Sequence, residues 1–183
     1  MLKKAPLSPN AAGSVAASLP HPADLRSIGS VSRTDTASLP IPAPVTEVYS
    51  ALIDPEALSS WLAPGDMIGM IERFDPRPGG SFRMVLKYPD HLASMGKTTS
   101  NTDVVEARFI DLKANERVVF AVDFVSDDPH YQGTMTMTWA VTAIVAGTLV
   151  EITADNVPDA VSAEDHAAGM KSSLEKLAEH FAK

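Results

Sequence analysis

The sequence predicts an α+β fold in which helices cover one face of an antiparallel β-sheet. Apolar and polar residues alternate in several segments, for example in TMTMTW at residues 134–139. This period of two is typical of strands with one buried face. The last segment, residues 163–183, instead repeats its apolar residues every three or four positions, which indicates an amphipathic helix.

The predicted elements follow one another in a simple order. A first strand is expected at residues 31–41, and a helix then begins at Pro44, whose fixed φ suits the first turn of a helix. A second short helix begins at Pro55. The strands predicted between it and the closing helix are residues 67–74, 81–88, 103–112, 117–124, 134–144 and 148–154. All helices must then lie on the one apolar face of the sheet.

The first thirty residues differ in composition from the rest. Residues 1–30 are rich in Ala, Ser and Pro and show no hydrophobic period, so we expect a flexible leader followed by a domain at residues 31–183. Pro6, Pro9 and Pro20 interrupt the leader, which therefore lacks the apolar stretch of a signal peptide. We accordingly expect a cytoplasmic protein.

Charge and residue usage exclude several classes of function. Residues 1–33 hold four basic residues and one acidic residue, whereas the remainder holds 11 basic and 22 acidic residues. Such an acidic body repels phosphate backbones, so nucleic acid is not an expected partner. No apolar run approaches the roughly 20 residues that cross a bilayer. The absence of cysteine excludes disulfides, thiolate nucleophiles and Cys-ligated zinc.

His166 lies on the margin of the apolar face of the closing helix. Ser162 is a suitable N-cap, with Asp165 three residues later as its partner. At about 100° per residue, His166 falls about 40° from Met170 on the inward stripe. Two interpretations are open: His166 either packs in the core with a local hydrogen bond, or lines a cavity and faces a ligand.

Several motifs resemble a known superfamily. They are PAPVTEVYSALIDPEALSSWLAP, FDPRPGGSFRM, VVEARFIDLKANERVVF, MTMTWAVTAIVAGTLVEIT and HAAGMKSSLEKL. Over about residues 33–183 the chain resembles the START-like (SRPBCC) superfamily, in its branch related to the carboxy-terminal domain of the heat-shock protein 90 ATPase activator. The resemblance implies a helix-grip fold: a seven-stranded antiparallel sheet wrapped around the last helix, with an apolar cavity between them.

The closing motif departs from the family pattern at one position. The family commonly has His, two residues, Gly and Trp, whereas Met170 follows Gly169 here. A flexible methionine changes the shape of a pocket, so a ligand preference does not carry over from relatives. Superfamily members bind lipids and other apolar molecules, catalyse cyclisations or act on other proteins, and the fold alone does not choose among these.

The predicted ligand-binding residues are those that could line the expected cavity. They are Trp61, Arg83, Arg108, Met137, Trp139, His166 and Met170. Arg83 and Arg108 reach the cavity only if their strands turn the polar face inward; otherwise they form a solvent-exposed charged row. Trp61 either caps the cavity mouth or packs against the sheet. Asp127, Asp128 and His130 fit turn chemistry better than a metal site, and no cofactor is expected.

Three functions remain open from the sequence. The favoured one is non-catalytic binding of an apolar small molecule in a hollow lined by adaptable methionines. The proposed lining residues are Met67, Met70, Met84, Met135, Met137 and Met170. The second is a chaperone co-factor or protein-interaction domain. The third is a cyclase- or hydrolase-like enzyme that uses His166 with Arg83, Arg108 or Glu106. A homodimer is also kept open.

Overall fold

The computed structural model describes residues 33–90, 101–124 and 132–182. The predicted leader and the turn at residues 127–130 lie outside the described residues. Within the described ranges the chain forms seven strands and three helices. The strands are β1 (Arg33–Ile41), β2 (Ile68–Phe74), β3 (Ser81–Lys87), β4 (Thr102–Lys113), β5 (Arg117–Phe124), β6 (Gly133–Ile144) and β7 (Gly147–Val157). The helices are α1 (Val45–Leu52), α2 (Pro55–Trp61) and α3 (Ala163–His180).

The strands form one antiparallel sheet in the order β1-β7-β6-β5-β4-β3-β2. Strands β2 to β7 pair in sequence order, each antiparallel to the next, and β1 pairs with β7 at one edge of the sheet. The helix-grip fold expected from the resemblance is therefore confirmed, with two short helices between β1 and β2. None of the helices in the described ranges has the length and hydropathy needed to cross a bilayer.

Local signals begin the helices where the sequence predicts. The Asp54 carboxylate accepts a hydrogen bond from the Ala57 amide at 2.7 Å and caps α2. Ser162 Oγ accepts from the Asp165 amide at 3.3 Å and caps α3. Because side-chain caps satisfy amides that have no partner inside the helix, they define where each helix begins.

The core lies between the inner face of the sheet and the helices. Phe82, Phe109 and Phe120 come from three neighbouring strands, and their rings pack with centroids 5.4–5.5 Å apart. Helix α3 packs against β1 and α2, whereas α1 lies against β6 and β7. The alternation in the sequence thus places one face of each strand in a continuous apolar core.

Three hydrogen bonds attach the segment after α2 to α3. They run from the Gly65 amide to Ser172 Oγ at 3.1 Å, from Ser173 Oγ to the Leu62 carbonyl at 3.2 Å, and from Lys176 Nζ to the Ala63 carbonyl at 2.6 Å. These bonds hold the segment between α2 and β2 against α3.

Candidate functional site

His166 pairs with a carboxylate on the edge strand of the sheet. Its Nδ1 lies 2.8 Å from Asp35 Oδ2, and the two side chains are each 15% exposed. Asp35 also accepts hydrogen bonds from Arg33, with Nη2 at 2.8 Å, and Arg33 Nη1 donates to the Val161 carbonyl at 2.6 Å. These three side chains, the Asp35 cluster, connect β1 to α3 and to the segment before it. The hydrogen-bond partner of His166 is therefore a residue of β1 and not a local one, and its contact with a ligand stays a prediction.

The Asp35 cluster contains an ionised carboxylate. Hydrogen bonds from the Arg33 guanidinium, and then that from His166, hold the pKa of Asp35 below its ordinary value, although burial opposes them.

The alternation of β1 is a sequence signal for Asp35, which is not among the predicted binding residues. Arg33 and Asp35 alternate with exposed threonines in β1, on the same face as Ala37, Leu39 and Ile41. Since the apolar members of that face must point to the core, the two charged residues have to point inward as well. Inward charges on an edge strand need partners, and His166 supplies one of them.

Trp61 and Trp139 meet in the centre of the interior. Their ring centroids are 4.9 Å apart at 60°, and the residues are 1% and 2% exposed. Trp61 Nε1 donates to the Ala51 carbonyl at 3.1 Å. Trp61 thus packs against the sheet instead of capping a mouth, and the prediction that Trp139 faces inward is confirmed.

The predicted methionine lining is only partly present. Met137 and Met170 are 8% and 5% exposed and belong to the core, together with Met84 and Met135. Met70 is 50% exposed on the outer face of β2, so its assignment to the hollow is wrong. Its position follows from alternation along β2, where Gly69 and Ile71 take the inward places.

Arg83 and Arg108 lie on the outer face of the sheet. Arg83 Nε donates to Glu72 Oε2 at 2.8 Å and Nη1 contacts Glu106. Arg108 Nη2 lies 3.8 Å from Asp123 Oδ2. The arrangement in which an arginine enters the interior is therefore wrong, and the solvent-exposed charged row is confirmed. Because these side chains and His166 lie on opposite sides of the sheet, they do not form one site.

The inner apolar face continues to the end of the sheet at which α3 begins, here called the mouth. Strand pairings place the start of β1, the end of β5 and the start of β4 at this end. Val105, Val122 and Phe124 point inward there but remain half-buried, in contrast to the buried residues deeper in the core. Among the described residues, the apolar wall is thus incompletely covered at this end of the sheet.

A second polar pair lies at the mouth, toward the edge of the sheet opposite β1. Tyr88 Oη donates a hydrogen bond to Asp103 Oδ2 at 2.9 Å. Burial, followed by this hydrogen bond, raises the pKa of Tyr88 to about 12, so the phenol is neutral. The rim therefore carries the Asp35 cluster at one side and a phenol–carboxylate pair at the other.

A separate open groove of about 740 Å³ lies on the outside of the helices. Helices α1 and α2 and the end of α3 form it, and its lining includes the acidic residues Glu47, Asp54 and Glu56 with Phe181. None of the predicted ligand-binding residues lines this groove. Within residues 33–90, 101–124 and 132–182, no group of His, Asp or Glu side chains is arranged to hold a metal ion.

The profile of a known family, activator of Hsp90 ATPase homolog 1-like protein, matches residues 42–182. The chain belongs to this family. The match begins directly after β1 and runs past the end of α3, so it contains every element that surrounds the interior except β1. No curated protein sequence matches the chain.

Solved structures share the fold of this AHSA1-like chain. Protein CV1439 from Chromobacterium violaceum is 26% identical, with a TM-score of 0.68 over 80% of this chain and 95% of that one. The AHSA1-like protein from Aeromonas hydrophila is 16% identical, with a TM-score of 0.63 over 82% and 92% of the two chains. A protein from Rhodobacter sphaeroides is 21% identical, with a TM-score of 0.64 over 81% and 91%. The similarity to the last two proteins shows only that they share the fold of this chain.

Proposed function

We propose that this AHSA1-like domain binds an apolar small molecule between the sheet and α3, without catalysing a reaction. The observation that carries the proposal is the half-buried state of Val105, Val122 and Phe124, which point inward at the mouth. Apolar surface left in water forgoes about 25 cal/mol for each Å² that could be buried. A bound molecule with an apolar body would cover this wall and gain that free energy.

The surroundings of the mouth suit such a ligand. Met135 and Met170 lie on opposite walls, and methionine side chains adapt to varied shapes. The Asp35 cluster and the Tyr88 phenol stand at the rim, where polar groups orient a ligand without filling the pocket.

The non-catalytic part of the proposal is supported by the positions of the charged residues. The enzyme hypothesis requires His166 to act with Arg83, Arg108 or Glu106. Those three partners lie on the outer face and are paired there with other charges. His166 is itself engaged by Asp35, so no acid–base pair of this set converges on the interior.

Binding of ethylnaphthalene, an uncharged apolar probe, tests the proposal. The probe is titrated into the purified protein and followed by quenching of tryptophan fluorescence. The variant Val122→Phe fills the mouth and is expected to weaken binding at least about tenfold, because the enlarged side chain occupies the space of the probe. The control Ile110→Phe adds the same ring at a site that is 45% exposed on β4 and is expected to leave binding unchanged. Absence of binding to the wild type, or equal binding by both variants, contradicts the proposal.

A chaperone co-factor is the second candidate function. It is favoured by the family description, activator of Hsp90 ATPase homolog 1-like protein. The ATPase rate of purified heat-shock protein 90, measured with and without this protein, decides this candidate. A rate that rises in proportion to added protein supports it, and an unchanged rate rejects it.

A further inference from the structure

The indole N–H of Trp139 is buried without a partner. Trp139 is 2% exposed, and Nε1 has no hydrogen-bond acceptor among the described residues. Its cross-strand neighbours on the inner face are Val118 and Ile152, whose side chains contain no acceptor. An indole nitrogen is a donor only, so whatever satisfies it must supply an acceptor atom.

Other buried polar side chains of the described core are satisfied. Trp61 Nε1 donates to the Ala51 carbonyl, Thr148 Oγ1 to the Ala43 carbonyl, and Ser173 Oγ to the Leu62 carbonyl. The great majority of buried polar groups in proteins have such partners, and an exception calls for an explanation. A buried water is a poor explanation here, because an ordered water needs two to four polar partners and the neighbouring side chains on the sheet are apolar.

We propose that the ligand of the interior is a neutral apolar molecule with a carbonyl or ether oxygen that accepts a hydrogen bond from Trp139 Nε1. This inference rests on the proposed function and specifies the class of molecule bound there. An uncharged acceptor is favoured over a carboxylate for a reason of charge: Arg83 and Arg108 point away from the interior, and Arg33 is already engaged by Asp35 and Val161. A buried anion without a cationic partner would be strongly disfavoured.

Two probes of nearly the same shape test this inference. Methyl naphthyl ketone and ethylnaphthalene differ in one carbonyl oxygen. The chain contains two tryptophans, so a nitrogen-labelled NMR spectrum shows two indole N–H signals, which Trp139→Phe assigns. The ketone is expected to move the Trp139 signal downfield, as hydrogen bonding does, more than the hydrocarbon moves it. The Trp61 signal, whose N–H is already bonded to Ala51, is the internal control.

Dissociation constants provide the second measurement. Trp139→Phe removes the N–H and keeps an aromatic ring at this position. The ratio of the ketone constant to the hydrocarbon constant is expected to rise about tenfold in this variant, the size of a typical hydrogen-bond loss. Trp61→Phe, which alters the ring in contact with Trp139, is expected to leave the ratio unchanged because neither probe is expected to bond to Trp61.

The outcomes separate the inference from the function on which it rests. If neither probe binds, the proposed function fails. If both bind and the ratio is the same in wild type and Trp139→Phe, apolar binding stands and the inference is overturned. If Trp139→Phe does not fold, Trp61→Phe assigns the two signals and the Trp139 signal of the wild type decides: equal shifts with both probes overturn the inference. Probe-induced shifts confined to Glu56 and Ser60 place binding in the outer groove and overturn both.

Discussion

Removal of the Asp35 carboxylate is expected to destabilise the domain more than removal of an exposed carboxylate. Asp35 accepts hydrogen bonds from Arg33 and from His166, each with a contact of 2.8 Å, and its side chain is only 15% exposed. A hydrogen bond to a charged group contributes about 1.5–3 kcal/mol, and removing one member of a largely buried set leaves the others unsatisfied. Asp35→Ala is therefore expected to lower the free energy of unfolding by about 2–3 kcal/mol at pH 7.

Urea unfolding followed by tryptophan fluorescence is the appropriate assay, because Trp61 and Trp139 are buried and become exposed together. The matched control is Asp111→Ala. Asp111 accepts from Arg117 at 2.7–2.8 Å, but these side chains are 41% and 45% exposed. Exposed pairs contribute about 1 kcal/mol or less, so the control is expected to lose no more than that.

The stability that Asp35 contributes depends on pH with a defined sign. The pKa of Asp35 is lowered in the folded protein, chiefly by Arg33 and also by His166. A carboxyl of this kind contributes its full stability above its ordinary pKa and loses that contribution as the pH falls through the folded value. The difference between wild type and Asp35→Ala should therefore narrow below about pH 4. The reasoning is refuted if Asp35→Ala loses no more than Asp111→Ala at pH 7, or if the difference widens in acid.

Three further predictions concern the leader and the core. Deleting residues 1–28 is expected to change the melting temperature by less than about 3 °C, since their composition offers little apolar area to bury; a larger drop in a thermal scan would show that they pack on the domain. Trp139→Ala is expected to lose about 3–5 kcal/mol in urea unfolding, and a loss under about 1 kcal/mol would contradict the burial of that side chain. Thr148→Val is expected to lose about 1–2 kcal/mol, because the Ala43 carbonyl loses the hydroxyl that donates to it at 2.8 Å; equal stability in the same assay would show that another donor replaces it.

The sequence by itself determined the order of the elements and the inward face of most strands. Both are local properties: the period of two in β6 places Met137 and Trp139 in the core, and Ser162 begins α3 through a contact three residues away. The same alternation in β1 marks Asp35 as an inward residue, although its partner is not evident from the sequence.

Tertiary structure decided which inward residues meet. His166 and Asp35 are 131 residues apart in the chain, and only the packing of α3 on β1 brings them to 2.8 Å. Likewise, the alternation in β3 is compatible with Arg83 on either face of the sheet. In the structure the apolar neighbours of Arg83 point inward, and Arg83 pairs with Glu106 on the outer face. The missing acceptor of Trp139 is also a tertiary property, since it depends on what β5, β7 and Trp61 of α2 bring next to this side chain. The spacing of residues along the chain does not predict such contacts, because strand register and helix packing are set by the whole core.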